Sequence, residues 1–230
     1  MTIYIDDRLE ANRRCDKAVF ELSKIAIGYL ADKNIIEHNR IMGKIEGIKL
    51  AQDYFNTVLG KTALGNNTTG VNATAIGVES LASNTTGNHN TAVGADALYK
   101  NTTGGKNTAI GVLPLFNNTI GASNTAIGYY SMYSNISGSF NLSLGDSSLH
   151  LNTIGFENTA IGFSALYSNT TGNYNIGIGT VALYSNTTGS GNVGIGDKSG
   201  RYIADGTTNN SISDNSVYIG ANTKALANNQ

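Results

Sequence analysis

Residues 94–111 read GADALYKNTTGGKNTAIG, a turn, a short apolar step, a second turn and a second apolar step. The stretch then recurs. A glycine closes an apolar triplet at Gly77, Gly94, Gly111, Gly128, Gly145, Gly162, Gly179 and Gly196, always 17 residues apart. A second glycine series runs from Gly70 through Gly87, Gly104 and Gly121 to Gly189 at the same interval. Two glycine columns in register over eight repeats signal stacked repeats, in which each unit buries its apolar side only against its neighbours.

The consensus unit is N-T-A-I-G-x-x-A-L-Y-x-N-T-T-G-x-x. T-A-I is too short for a helix, is rich in β-formers and stops at glycine. A-L-Y reads as a second strand-like piece. N-T-T-G supplies turn chemistry, since Asn tolerates the left-handed region and Gly adopts it without steric conflict. The expected fold is mostly β, a parallel β-roll or β-solenoid of 17-residue coils stacked about 4.8 Å apart.

Stacking turns each repeat position into a ladder. Ile76, Val93, Ile110, Ile127, Leu144, Ile161, Ile178 and Ile195 form one, and Leu81, Leu98, Leu115, Met132, Leu149, Leu166 and Leu183 another. Both are expected to face the core. Side chains alternate along a strand, so the intervening small residues, among them Ala75, Ala92, Ala109, Ala126 and Ala160, are then expected to face outward and let copies of the chain pack as a trimer. An Asn ladder runs from Asn84 and Asn101 to Asn186, with coil-to-coil amide bonds expected. An aromatic column of Tyr99, Phe116, Tyr133, Tyr167 and Tyr184, interrupted by His150, reads as stacked rings, with a sugar-contacting stripe as the alternative.

The units NTAVG from Asn90, NTAIG from Asn107, Asn124 and Asn158, and NSVYIG from Asn215 resemble the head repeats of trimeric autotransporter adhesins, over about residues 62–227. Similar repeats occur in phage fibre proteins. The resemblance implies a left-handed parallel β-roll assembled as a tight homotrimer. The 17-residue unit is longer than the usual head repeat, so longer turns are expected.

The first sixty residues differ in composition. Residues 1–61 hold 19 of the chain's 31 charged residues. Ile41, Ile45, Ile48, Gln52, Phe55 and Leu59 follow the 4-3-4-3-4 spacing of a coiled-coil seam, and isoleucine at both seam positions favours three strands over two. Ile41, Ile45, Ile48, Phe55 and Leu59 are therefore expected to add to a trimer contact. The organisation expected is a helical anchor with a short coiled coil over 1–60 and a roll over 61–230. A short first unit between Gly65 and Gly77 and an insertion loop over 200–214 complete it.

A net charge of −1 gives no reason to expect nucleic acid as a partner. No apolar run is long enough to span a bilayer. The start, MTIYIDDRLEANRRCDK, has no apolar signal segment, so export by a cleaved signal is not expected, whereas the ending ALANNQ shows no evident cap and more fibre is expected to follow. The single cysteine, Cys15, excludes a disulfide framework and a cysteine-based zinc site. His38, His89 and His150 stand apart, and the roll's carboxylates (Glu79, Asp96, Asp146, Glu157 and Asp197) are scattered. No catalytic set, metal site or cofactor is expected.

The function expected is therefore a structural fibre of a bacteriophage virion. Residues 1–60 would meet a capsid or tail protein, and the trimeric shaft would contact a host-surface glycan or protein. The alternatives are a passenger of a bacterial surface adhesin and a monomeric solenoid binder. The last would use the outward threonines Thr74, Thr91, Thr108, Thr125 and Thr159, a column interrupted by Leu142, Ile176 and Val193.

Overall fold

The computed structural model describes residues 55–202 and 211–224. Ten three-residue strands follow one another in a single parallel sheet, in chain order. They are β1 (Thr57–Leu59), β2 (Thr74–Ile76), β3 (Thr91–Val93), β4 (Thr108–Ile110), β5 (Thr125–Ile127), β6 (Leu142–Leu144), β7 (Thr159–Ile161), β8 (Ile176–Ile178), β9 (Val193–Ile195) and β10 (Val217–Ile219). Each pairs with its equivalent one coil on, as in Ala92↔Ala109 and Ile110↔Ile127. The repeat is thus a parallel β-solenoid with 17-residue coils.

The roll begins earlier than the sequence suggests. Thr57 pairs with Thr74 and Leu59 with Ile76, so the first coil is full-length and not short. Leu59 is an exposed strand residue, and Phe55 is exposed just before the strand with a φ of 52°. Neither continues a helical seam. The remaining seam residues, Ile41, Ile45, Ile48 and Gln52, lie outside the described residues, as does the predicted helical anchor.

The facing of the strands is the reverse of the expectation. Ala75, Ala92, Ala109, Ala126 and Ala160 are each 0 % exposed and point into the coil. The flanking threonines and isoleucines point out, Ile110 with 38 % of its surface exposed. The isoleucine column, Ile76, Val93, Ile110, Ile127, Leu144, Ile161, Ile178 and Ile195, is therefore not core. The alanine column is correspondingly not available as a trimer contact. The reason is the width of the coil. The leucine column, with Leu98, Leu166 and Leu183, is fully buried opposite the strand. A methyl group added at Gly177, which occupies the alanine position, would lie 3.1 Å from Leu166 Cγ, and one at Gly194 would lie 2.7 Å from Leu183 Cγ. One Leu and two small residues per coil, such as Leu98 with Ala92 and Ala97, fill the apolar interior, and an inward Ile would overpack it.

The A-L-Y segment is not a strand. It lies in a run of turns in which two residues per coil adopt the left-handed region, for example Asp96 (φ 55°) and Leu98 (φ 54°). Such a conformation costs about 1–2 kcal/mol at a non-glycine residue. It is offset by burial of the leucine and by bonds to neighbouring coils, Asp96 N–H to the Val78 carbonyl at 2.9 Å and Leu98 N–H to the Pro114 carbonyl at 3.1 Å.

Both glycine columns have a steric origin. Gly94 has a φ of 128°, and a methyl group there would sit 1.7 Å from the Gly111 carbonyl oxygen. At Gly104 it would sit 2.3 Å from the Gly121 oxygen and 2.5 Å from Asn101 Oδ1. Backbone therefore passes backbone too closely for any Cβ.

Two buried asparagine ladders run along the stack. In one, Asn118 Nδ2 donates to Asn101 Oδ1 at 2.8 Å and to the Gly121 carbonyl of its own coil at 3.0 Å, and Asn135 Nδ2 donates to Asn118 Oδ1 at 2.8 Å. In the other, Asn107 Nδ2 donates to the Gly121 carbonyl at 2.8 Å, and Asn107 N–H donates to Asn90 Oδ1 at 2.9 Å. This second ladder, Asn90 through Asn192, fixes the residue that opens each strand and was not foreseen from the N-T-A-I-G pattern.

At the far end the register shifts from 17 to 24 residues, since Leu183 N–H bonds the Ser199 carbonyl while Thr187 N–H bonds the Ser211 carbonyl. The change falls within the expected insertion. Here the core is refilled by exchange: Gly200 stands where a leucine would, and Tyr218 stands where an alanine would and is buried. A methyl group on Gly200 would meet Tyr218 Cδ2 at 2.4 Å, so the tyrosine ring occupies the space that the leucine column vacates.

Candidate functional site

The most extended surface feature is the outward face of the sheet. A threonine column (Thr74, Thr91, Thr108, Thr125 and Thr159, with Leu142, Ile176 and Val193 in the gaps) lies beside the isoleucine column. Ten strands at about 4.8 Å give it a length of about 43 Å. β-Branched residues suit this face because they pack against their neighbours on a pleated surface. No charge lies on it, and Leu142, Leu144, Ile176 and Ile195 are exposed. An uncharged, partly exposed strip of aliphatic and threonine side chains of this length is uncommon on a monomer.

Two rims frame that face. The residues two before and two after each strand form columns of their own, one at either end of the strand, because each repeats at the coil interval. Before β6, β7 and β8 these residues are Phe140, Glu157 and Tyr174; after β5, β6 and β7 they are Tyr129, Asp146 and Phe163. All six are exposed. Tyr129 meets Tyr130 edge-on at 4.3 Å and 86°, and its N–H donates to Asp146 Oδ1 at 3.2 Å. The Tyr129 phenol is held above its ordinary pKa, chiefly by the hydrogen bond with the Tyr130 side chain, then by lost hydration and by repulsion from that neighbour. Tyr174 is braced likewise, edge-on to Phe156 at 5.1 Å.

The aromatic column is a stack. Tyr99, Phe116, Tyr133, His150, Tyr167 and Tyr184 follow one another at 5.0–5.4 Å between ring centroids and within 9° of parallel. Arg201 closes it, its guanidinium carbon 4.9 Å from the Tyr184 centroid. The rings cover one another's faces, which are the surfaces a sugar would need. The column is thus a packing device. His150 belongs to it, with Nδ1 3.2 Å from the Tyr130 carbonyl.

Among the described residues, no three His, Cys, Asp or Glu side chains come together as a metal site. Among them, too, no helix is long and apolar enough to cross a membrane. His89 and His150 lie at separate repeat positions, and the carboxylates Glu79, Asp96, Asp146, Glu157 and Asp197 are scattered over four coils. No family model, curated protein or solved structure matches the chain. What the geometry defines is a class, a parallel β-solenoid repeat protein with one uncharged face of threonine and aliphatic side chains.

Proposed function

We propose that the protein is a structural fibre of a bacteriophage virion, a homotrimer whose β-solenoid is the shaft. The residues before the roll, 1–54, form the anchor to a capsid or tail protein, and the shaft makes contact with the host surface. The observation that carries this reading is the outward Thr/Ile face. It runs the length of the sheet without a charged residue. Copies related by a threefold axis along the rod would bury it continuously, which accounts for isoleucine where a solvated strand would carry polar residues. The trimer contact is accordingly assigned to Ile110, Ile127 and Ile161 with their threonine neighbours, in place of the alanines. The likeness of the N-T-A-I-G units to trimeric adhesin heads and phage fibres supports the same assembly.

A passenger of a bacterial surface adhesin uses the same shaft and differs in where it is displayed. Mass spectrometry of purified virions against washed bacterial surfaces separates the two. Recovery of the chain in virions at constant stoichiometry through density-gradient purification is the expected result, and recovery from cell surfaces alone would overturn the virion assignment. A monomeric solenoid binder is separated by native mass, since it requires the sheet face to stay open.

A further inference from the structure

The rims of the sheet carry a pattern that neither the coil nor the trimer contact requires. On each side an aromatic ring, a carboxylate and an aromatic ring follow one another on successive coils: Tyr129, Asp146 and Phe163 on one side, Phe140, Glu157 and Tyr174 on the other. The rings are 51 %, 58 %, 63 % and 53 % exposed at Tyr129, Phe163, Phe140 and Tyr174. The same positions on other coils hold Ala95, Thr180, Ser123 and Gly191 with the coil unchanged. Closing the coil therefore does not call for these rings, and their cost in exposed apolar surface has no structural return.

We infer that the two rims bind an extended β-linked oligosaccharide lying along the shaft axis. The inference rests on the host-contact role proposed above and names its ligand. Three observations carry it. Rings two coils apart are separated by about 10 Å, close to the length of an extended disaccharide unit, so an extended oligosaccharide meets the two rings of a column in phase. The exposed carboxylate between each pair accepts hydrogen bonds from sugar hydroxyls while the rings cover the apolar C–H faces, the usual division of labour in a ligand site. One ring in each column is braced: Tyr129 on Tyr130, with its backbone N–H bonded to Asp146, and Tyr174 on Phe156. A site held this way loses little conformational entropy on binding.

The chain has no tryptophan and 12 tyrosines, so binding is readable in tyrosine fluorescence. The full-length protein is titrated with chitohexaose and, separately, with cellohexaose. Saturable binding of at least one is expected. The pairs Tyr129→Ala/Phe163→Ala and Phe140→Ala/Tyr174→Ala should each weaken it by about tenfold, and Asp146→Asn by less, with native mass unchanged throughout. Failure of both hexaoses to saturate, binding unaffected by both pairs, or a fall in native mass in either pair would overturn the inference. The last outcome would place the rims inside the contact between copies. None of these outcomes bears on recovery of the chain in virions, which tests the fibre assignment separately.

Discussion

At the scale of single residues, the repeat is held by positions that tolerate no substitution. Gly94 combines a φ of 128° with a carbonyl where its Cβ would be. Gly94→Ala is expected to lower stability by about 3 kcal/mol or more, measured by urea unfolding. Asn118 is the other kind. It gives two hydrogen bonds and accepts one inside the stack. Asn118→Leu keeps the volume but strands the Asn101 oxygen and one N–H of the Asn135 amide, while Gly121 keeps the bond from Asn107. The expected loss is about 3–5 kcal/mol, since each stranded buried group costs about 1–3; a thermal midpoint within a degree or two of the parent would contradict the ladder. These columns were legible in the sequence because glycine and asparagine reveal backbone needs directly. The second asparagine ladder was hidden because its members open the apolar strand motif and read as part of it.

At the scale of the element, the coil is a thin prism with one strand and, at its apolar centre, one leucine and two small residues. Leu115→Ala should cost about 2–5 kcal/mol through lost burial and a residual cavity, read as a shift in the urea midpoint. The period and the strand were legible, but the facing was not. Alternation over three residues allows two assignments, either Ala outward with Ile inward or the reverse, and residue hydrophobicity favours the wrong one. What decides is the width of the prism, which depends on the leucine arriving from the far side of the coil. Gly177 and Gly194, each pressed against a leucine, record that limit. The buried Ser131, Ser143 and Ser148 show the same limit met by polar groups, which satisfy one another, Ser131 Oγ to Ser143 Oγ at 2.7 Å. The A-L-Y segment was misread as a strand because its φ > 0 residues, Asp96 and Leu98, are not the glycines that usually signal that conformation. The aromatic column was read correctly as stacking, because a ring at every coil height can do little else.

At the scale of the whole molecule, the sheet face decides between a lone rod and an assembled one. Its composition was visible in the sequence, but its availability was not, since its isoleucines were assigned to the core. The reversed facing makes two substitutions of adjacent residues behave oppositely. Ala109→Glu buries a carboxylate in a sealed interior and is expected to abolish folding, seen as loss of the cooperative transition in circular dichroism. Ile110→Glu with Ile127→Glu places charge only on the outer face, so each chain should fold as before. Native mass of the full chain by light scattering, for the parent and for Ile110→Glu/Ile127→Glu, tests the account most directly. The account predicts a trimer for the parent and a folded monomer for the double variant. A monomeric parent, or a variant that stays trimeric, would contradict assembly through the Thr/Ile face.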